Sequence, residues 1–108
     1  MESPEILDLD HLARYTMGDS ALEQEVLGLF IGQVPETVAM LRDSGDAEAW
    51  MRAAHTIKGS ARAVGAWKLA DAAERAESRV RQRERWDALA DDIEAAVAEV
   101  RLRIVADG

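Results

Sequence analysis

The residues of this chain that could do chemistry are concentrated in one short segment, AHTIKGS at positions 54–60. Its histidine, His55, has a side chain that can act as a nucleophile, a base or a metal ligand near neutral pH. The chain has no cysteine, which excludes disulfides and thiolate catalysis. Its other histidine is His11, and neither histidine has a partner at zinc-ligand spacing. The candidate chemistry is therefore that of an imidazole with a lysine, Lys58, one helical turn away.

His55 is predicted to point out of the protein rather than into its core. Successive residues of an α-helix are rotated by about 100°, and the apolar seam of this segment is centred roughly 140° from His55. The seam consists of Trp50, Ala54, Ile57, Ala61 and Val64. By the same rotation, the residues within about 60° of His55 are Glu48, Met51, Arg52, Lys58, Gly59 and Arg62. Three of them are cations on a chain that is acidic overall, which favours a functional surface over a plain solvated one.

Gly59 is a second indication of function at this surface. Glycine in the middle of a helix costs about 1 kcal/mol relative to alanine, and a bare backbone beside His55 would leave the imidazole edge open to a bulky partner. Ser60 is rotated roughly 140° from His55, so no direct role is expected for it. His11 stands alone on its segment and is predicted to be a surface residue rather than part of a site.

The rest of the sequence predicts helices that hold this segment in place. Alanine, leucine, glutamate, arginine and aspartate dominate, and no strand-like alternation of useful length occurs. The predicted helices cover about 9–17, 20–44 and 46–64, followed by two whose apolar stripes run over 69–80 and 86–104. Asp8, Asp46 and Gly65 are residue types typical of helix ends. Short links between long amphipathic helices predict an all-α fold. It is an up-down antiparallel four-helix bundle with a short additional N-terminal helix, formed by a single domain over residues 1–108.

The sequence of the long second helix predicts its buried face, a bend and a close contact with another helix. Its apolar stripe, predicted to face the core, comprises Leu22, Val26, Leu29, Phe30, Val34, Val38 and Leu41. Pro35 should bend this helix near residues 31–34, because proline lacks an N–H and crowds the carbonyl four residues back. Gly28 and Gly32 are expected to allow close packing against another helix. Elsewhere, Trp50 and Trp86 are predicted to lie in the core, whereas for Trp67 a core position and a cap on the end of the bundle both remain open.

Charge and hydropathy exclude several classes of protein. A formal net charge of −8 argues against general nucleic-acid binding and against anionic membrane surfaces. The longest apolar run, at 26–32, is far shorter than the roughly 20 residues of a membrane-spanning helix, and no secretory signal is evident. A cytoplasmic location is expected. The sequence contains neither of the common glycine-rich nucleotide-binding motifs, so no ATP site and no autonomous kinase activity are expected.

The segment at 54–60, with the helix-ending Gly65 behind it, closely resembles the signature of histidine-containing phosphotransfer (HPt) domains, Ala-His-x-(Leu/Ile)-Lys-Gly-(Ser/Gly). The resemblance extends to the order of the helices and to the proline inside the second one. It implies that His55 takes a phosphoryl group from a receiver-domain aspartate through Nε2 and passes it to another response regulator. It also implies that Lys58 holds a phosphoryl oxygen, and that the required Mg²⁺ sits on the receiver domain, so that this chain needs no cofactor or metal of its own.

The resemblance also implies the partners. Response-regulator receiver domains and an upstream or hybrid sensor histidine kinase are expected, with the chain itself a monomer. Gly59, Arg62, Arg52 and Met51 are the candidates for the surface on which a receiver docks, and for Met51 incidental packing is an equal alternative. A phosphotransfer domain of a chemotaxis-type kinase and a helical adaptor that carries no phosphate are the alternative functions. The intact His55, Lys58 and Gly59 weigh against the adaptor.

A partner for the second ring nitrogen can be sought by counting residues along the hairpin that follows the segment. If helices three and four form an antiparallel hairpin centred near Ala66, the residues eleven positions before and after it, His55 and Glu77, lie level. Glu77 lies at the edge of its helix's apolar stripe, and chemotaxis-type phosphotransfer domains resemble this arrangement. Glu77 is therefore a candidate to accept a hydrogen bond from Nδ1–H, which leaves Nε2 free. A surface salt bridge between Glu77 and a neighbouring arginine is an equal alternative.

Overall fold

Helices make up nearly all of the structure. The computed structural model describes residues 4–107, and within this range there is no β-strand. The helices are α1 (Leu9–Tyr15), α2 (Ser20–Arg42), α3 (Ala47–Val64), α4 (Trp67–Ser78) and α5 (Trp86–Asp107), with a single 3₁₀ turn, Arg83–Arg85, before α5. Helices α2 to α5 form the antiparallel bundle, and α1 packs across α2 and α3. The predicted fold is confirmed.

Three of the helices have an aspartate as their N-cap residue. Asp8, Asp19 and Asp46 each accept a hydrogen bond from the backbone N–H three residues on, at 3.0, 3.1 and 2.8 Å, which satisfies one of the donors left free in a first helical turn. Helix α3 ends at Gly65, whose φ of 81° lies in the left-handed region that glycine adopts without strain. The limits of the helix that carries His55 therefore follow from local signals.

The core is built from one face of each long helix. Trp50 and Ile57 of α3 are almost completely buried, and the indole of Trp50 stacks on that of Trp86, with centroids 4.3 Å apart and planes 9° from parallel. The other large buried side chains include Leu12, Leu41, Leu69, Ile93 and Val100. Because α3 packs against both α2 and α4, only one of its faces is left to solvent.

The first half of α2 differs from the sequence expectation. Leu22 and Leu29 are 40% and 57% exposed, and nothing lies within 4 Å of a Cβ built on Gly28 or Gly32. The buried residues of α2 are Phe30, Val34, Val38 and Leu41, and the two glycines lie roughly 125° and 165° from the centre of that set. The prediction that they pack against a second helix was wrong, because they face away from the bundle.

The ends of α1 and α2 also differ slightly from the prediction. Helix α2 continues through Pro35 and ends at Arg42 rather than at Ser44, and α1 ends at Tyr15, after which Met17 and Gly18 both have positive φ. Within the described range, none of the helices has the length and apolarity that crossing a bilayer demands.

Candidate functional site

His55 lies on the one face of α3 that neither α2 nor α4 covers. Its side chain is 69% exposed, whereas Ala54 and Ile57 on either side of it are buried. The outward orientation predicted from helical rotation is confirmed. An exposed imidazole can meet a second protein without any rearrangement of the bundle.

The carboxylate of Glu77 lies against one nitrogen of this imidazole. Glu77 Oε2 is 2.9 Å from His55 Nδ1, and Glu77 sits in the last turn of α4, level with His55 across the hairpin that turns at Gly65. A carboxylate at this distance favours the tautomer with the proton on Nδ1, because the N–H can then donate to it. Nε2 has no hydrogen-bond partner among the described residues and keeps its lone pair in that tautomer.

Lys58 is also held by Glu77, and its environment differs from the one expected. Lys58 Nζ donates to Glu77 Oε1 at 2.5 Å, and its side chain is only 13% exposed. Helical rotation places Lys58 within about 60° of the exposed His55, but its stem lies in the cleft between α3 and α4. The hydrogen bond from Lys58 holds the pKa of the Glu77 carboxyl below its usual value of 4.5. Burial opposes this effect, and the hydrogen bond with His55 adds a smaller lowering of the pKa.

A buried tryptophan fixes α3 against α4 next to this cluster. Trp50 Nε1 donates to the carbonyl oxygen of Ala76, the residue before Glu77, at 2.7 Å. The core position of Trp50 agrees with its place on the apolar seam of α3, whereas this hydrogen bond is not predictable from the seam. The only signal available was that a buried indole N–H requires an acceptor.

The surface around His55 contains the four residues proposed for docking. Nothing lies within 4 Å of a Cβ built on Gly59, and Met51 is 42% exposed. Arg62 and Arg52 are both exposed, with guanidinium nitrogens 3.9 Å from Glu74 and 3.6 Å from Glu48. Apolar, basic and bare-backbone surface therefore meet at the imidazole.

The second histidine lies at the far end of α3, outside this cluster. His11 Nε2 is 3.2 Å from the carbonyl oxygen of Ala63, two helical turns beyond His55, and its ring packs edge-on against Trp67. Trp67 Nε1 donates to Asp8 Oδ2 at 2.9 Å, so the open question about Trp67 is answered: it joins the N-terminal segment to the start of α4. His11 is half-buried rather than a free surface residue.

No group of three potential metal ligands comes together among residues 4–107. The carboxylate nearest to His55 is that of Glu77, and both of its oxygens already have protein partners. A reactant can therefore reach Nε2 of the oriented His55 imidazole. The ammonium group of Lys58 is bound to the other oxygen of the Glu77 carboxylate that the two side chains share.

An exposed, oriented imidazole on an antiparallel helical bundle is a geometry that suits the transfer of a group to and from histidine. A family model described as the Hpt domain matches residues 25–102, and the chain belongs to this family of histidine phosphotransfer domains. Its role is histidine phosphotransfer in a phosphorelay.

A solved structure has the same fold over nearly the full length of both chains. The crystal structure of histidine-containing phosphotransfer protein B (HptB) from Pseudomonas aeruginosa PAO1 superposes with a TM-score of 0.85 at 28% sequence identity, covering 97% of this chain and 96% of the other. No curated protein matches the chain at a significant level.

Proposed function

We propose that this protein is a phosphorelay intermediate in which His55 takes a phosphoryl group from the phospho-aspartate of a receiver domain and passes it to a second response regulator. The observation that carries the proposal is the state of the two ring nitrogens: Nδ1 faces Glu77 at 2.9 Å, and Nε2 is open to solvent. A nucleophile used by two partners in turn must be reachable from outside, and this one is.

The transfer follows from that geometry. Nε2 attacks the phosphorus of the acyl phosphate, the bond from phosphorus to the aspartate oxygen breaks, and the carboxylate leaves with that electron pair. Nδ1 keeps its proton throughout, and the positive charge that develops on the ring is balanced by Glu77. The reverse steps deliver the group to the second aspartate. Phosphoryl transfer of this kind depends mainly on positioning and charge stabilisation.

Lys58 has a role in this scheme even though Glu77 holds it. An ammonium group has three N–H donors, and the bond to Glu77 uses one of them. We assign another donor to a phosphoryl oxygen on Nε2. The Mg²⁺ needed for acyl-phosphate chemistry is assigned to the receiver domain, and this chain is assigned no cofactor, no ATP site and no kinase activity of its own.

The docking surface and the partners complete the proposal. Gly59 admits the receiver close to the helix backbone, while Met51, Arg52 and Arg62 contact it around the imidazole. The partners are receiver domains and an upstream or hybrid sensor kinase, and the chain acts as a cytoplasmic monomer without nucleic-acid or membrane partners.

Label transfer tests the proposal. The receiver domains of the source organism, each phosphorylated with acetyl phosphate carrying ³²P, are mixed with the parent chain, His55→Gln and His11→Gln. The parent and His11→Gln should acquire a phosphoramidate that is labile in acid and stable in base, and His55→Gln should stay unlabelled. Label on His55→Gln, or no label on any chain, would show that the protein is not a His55 carrier.

Glu77→Gln and Glu74→Gln separate a role in positioning the ring from a general effect of charge. Glu77→Gln should reduce the fraction of His55 protonated at Nδ1, measured by ¹⁵N NMR of the imidazole, and should slow single-turnover transfer. Glu74→Gln removes the same charge one turn away on α4 and should change neither. An unchanged tautomer ratio in Glu77→Gln would remove Glu77 from the site.

A further inference from the structure

One strongly charged segment takes no part in the site described so far. Residues 79–85, called the arginine loop below, read RVRQRER and join α4 to α5. Four of the chain's thirteen basic residues lie in these seven positions, with Glu84 as the one acid, on a chain whose net charge is −8. Arginines at every second position make the loop strongly basic on a chain that is acidic overall.

The arginine loop starts beside His55. Arg79 is the C-cap of α4 and follows Glu77, the partner of His55, by two residues. At its other end the loop leads into Trp86, which stacks on Trp50, five residues before His55 on α3. Met51 of α3 lies between His55 and the arginine loop. It is rotated about 40° from His55 around the helix axis, on the side of α3 that faces α4. The loop therefore continues the exposed surface of His55 towards the start of α3.

The loop is held in shape by contacts that leave most of its charge free. Arg83 donates to the carbonyl oxygen of Gly45 at 2.7 Å, and its guanidinium lies 4.7 Å from the centroid of the Trp86 ring. Trp86 Nε1 donates to the carbonyl oxygen of Val80 at 3.0 Å. Arg81 and Arg85 are exposed, and among the described residues neither has a carboxylate within 4.0 Å. Because the backbone of the loop is already fixed, its backbone loses little conformational entropy when a partner binds, and two guanidinium groups remain free to pair with that partner.

The charge pattern identifies the chemistry of that partner. The arginine loop is small, and the chain outside the loop and the surface around His55 carries a net negative charge, so a long polyanion or a charged membrane would be repelled beyond this region. A protein with a local cluster of carboxylates has no such conflict. The partner that must approach His55 in the proposed function presents a phosphorylated carboxylate, and the loop begins two residues after Glu77, the residue that contacts His55.

We infer that the arginine loop is an electrostatic docking element for the acidic face of the protein that exchanges phosphate with His55. This inference rests on the proposed function and extends the docking surface beyond α3. Its effect is assigned to the encounter between the two proteins, because neither Arg81 nor Arg85 forms a hydrogen bond or ion pair with the site residues His55, Lys58 and Glu77. Charge steering of this kind raises association rates by about 10- to 1,000-fold and is weakened by salt.

The test uses two double variants with the same change in net charge. Arg81→Gln/Arg85→Gln neutralises the loop, and Arg101→Gln/Arg103→Gln removes two exposed arginines from the opposite end of α5. The probe is the phosphorylated receiver domain that labels the parent fastest. At low ionic strength the loop variant should transfer about five- to tenfold more slowly in the second-order regime, with the deficit shrinking as sodium chloride is raised. At saturating receiver its rate should equal that of the parent, and the α5 variant should match the parent throughout.

Each other outcome overturns the inference. A loop variant with the parent's rate and salt dependence would show that the loop does not dock the receiver, as would a deficit that persists at saturating receiver. Binding of a DNA duplex or of phosphatidylserine vesicles that requires Arg81 and Arg85, with receiver transfer unchanged, would assign the loop to a different partner. Should the parent itself take no phosphate, the proposed function fails separately. Calorimetry with the unphosphorylated receivers then decides the loop: weaker binding by the loop variant sustains it, and equal or no binding overturns it.

Discussion

The carboxylate of Glu77 contacts both of the α3 side chains to which chemistry is assigned. One of its oxygens faces Nδ1 of His55, and the other accepts a hydrogen bond from Nζ of Lys58. A carboxylate held by an ammonium group cannot rotate freely, so the acceptor that faces Nδ1 has a fixed direction. Lys58 is therefore a positioning residue for Glu77 as well as the group assigned to the phosphoryl oxygens. This double use follows from the burial of Lys58 in the cleft between α3 and α4.

Replacement of Lys58 should affect both transfer and stability. Lys58→Ala should slow single-turnover transfer about tenfold, since a charge-assisted hydrogen bond contributes about 1.5–3 kcal/mol and partial exposure reduces that value. It should also lower the free energy of unfolding by about 1–2 kcal/mol, because the packed stem and the ion pair are lost together. Urea unfolding and label transfer measure the two effects.

Lys68 provides the matched control. It forms an ion pair with Glu99 at 2.9 Å on the other side of α4, and its side chain is 46% exposed. Lys68→Ala should leave transfer unchanged and cost less than about 1 kcal/mol. If Lys58→Ala loses stability but transfers at the parent rate, Lys58 only supports the fold.

At the scale of the helices, what could be predicted is what the chain specifies locally. The seam on α3, the cap at Asp46 and the glycine at position 65 are neighbours in sequence, and they gave a helix over 46–64 where the structure has Ala47–Val64. The alignment of Glu77 with His55 followed from counting residues along the α3–α4 hairpin, which has a two-residue turn. Each of these features depends only on residues that are near in sequence and on the geometry of a helix or a tight hairpin.

The features that could not be predicted depend on how distant parts of the chain pack against each other. The exposure of Leu29 and the open surface at Gly28 depend on α2 turning those positions away from the bundle. The burial of Lys58 depends on how closely α4 approaches α3. The docking of the arginine loop on Gly45 joins residues 38 positions apart, and no local pattern encodes that contact.

Gly59 within α3 and Gly65 at its end should respond in opposite ways to the same substitution. Gly59→Ala places a methyl group in open space and should stabilise the protein by up to about 1 kcal/mol. Gly65→Ala should destabilise it by more than that, because φ is 81° and the new Cβ would lie 3.0 Å from the carbonyl oxygen of Asp8. Thermal or urea unfolding of the two variants measures the difference.

Transfer by Gly59 variants then tests the docking surface independently of folding. Gly59→Ala should keep most of the activity, whereas Gly59→Glu should block transfer through bulk and negative charge in a protein that still unfolds cooperatively. Full activity of Gly59→Glu would show that receivers dock elsewhere.

Across the whole molecule, three carboxyl groups link stability to pH in the same direction. The pKa of Asp8 is lowered by hydrogen bonds from Trp67 and from the backbone of His11, that of Glu77 mainly by Lys58, and that of Glu94 mainly by Arg42. These contacts lie at different places in the bundle, so acid should weaken the N-terminal segment, the site and the α2–α5 pair together.

The sign of the effect is fixed by those lowered values. A carboxyl group whose pKa is lower in the folded state binds fewer protons there than in the unfolded chain, so stability rises with pH through that range. The free energy of unfolding should be flat above about pH 5.5 and should fall below the usual values of 3.8 for Asp8 and 4.5 for the two glutamates. Urea titrations at a series of pH values measure it, with Glu94→Gln expected to reduce the slope. A slope unchanged in Glu94→Gln would contradict the assignment to the Arg42 contact.

The stacked indoles of Trp50 and Trp86 also give the protein an optical signal of its own. The third tryptophan, Trp67, lies at the other end of α4, so a Trp67→Phe chain emits only from the stacked pair. One indole of that pair is bonded to Ala76, next to Glu77, and the other to Val80 in the arginine loop. Its fluorescence and near-ultraviolet circular dichroism therefore report on the junction of α3, α4 and α5 beside His55, and they allow docking to be followed in real time without an attached dye.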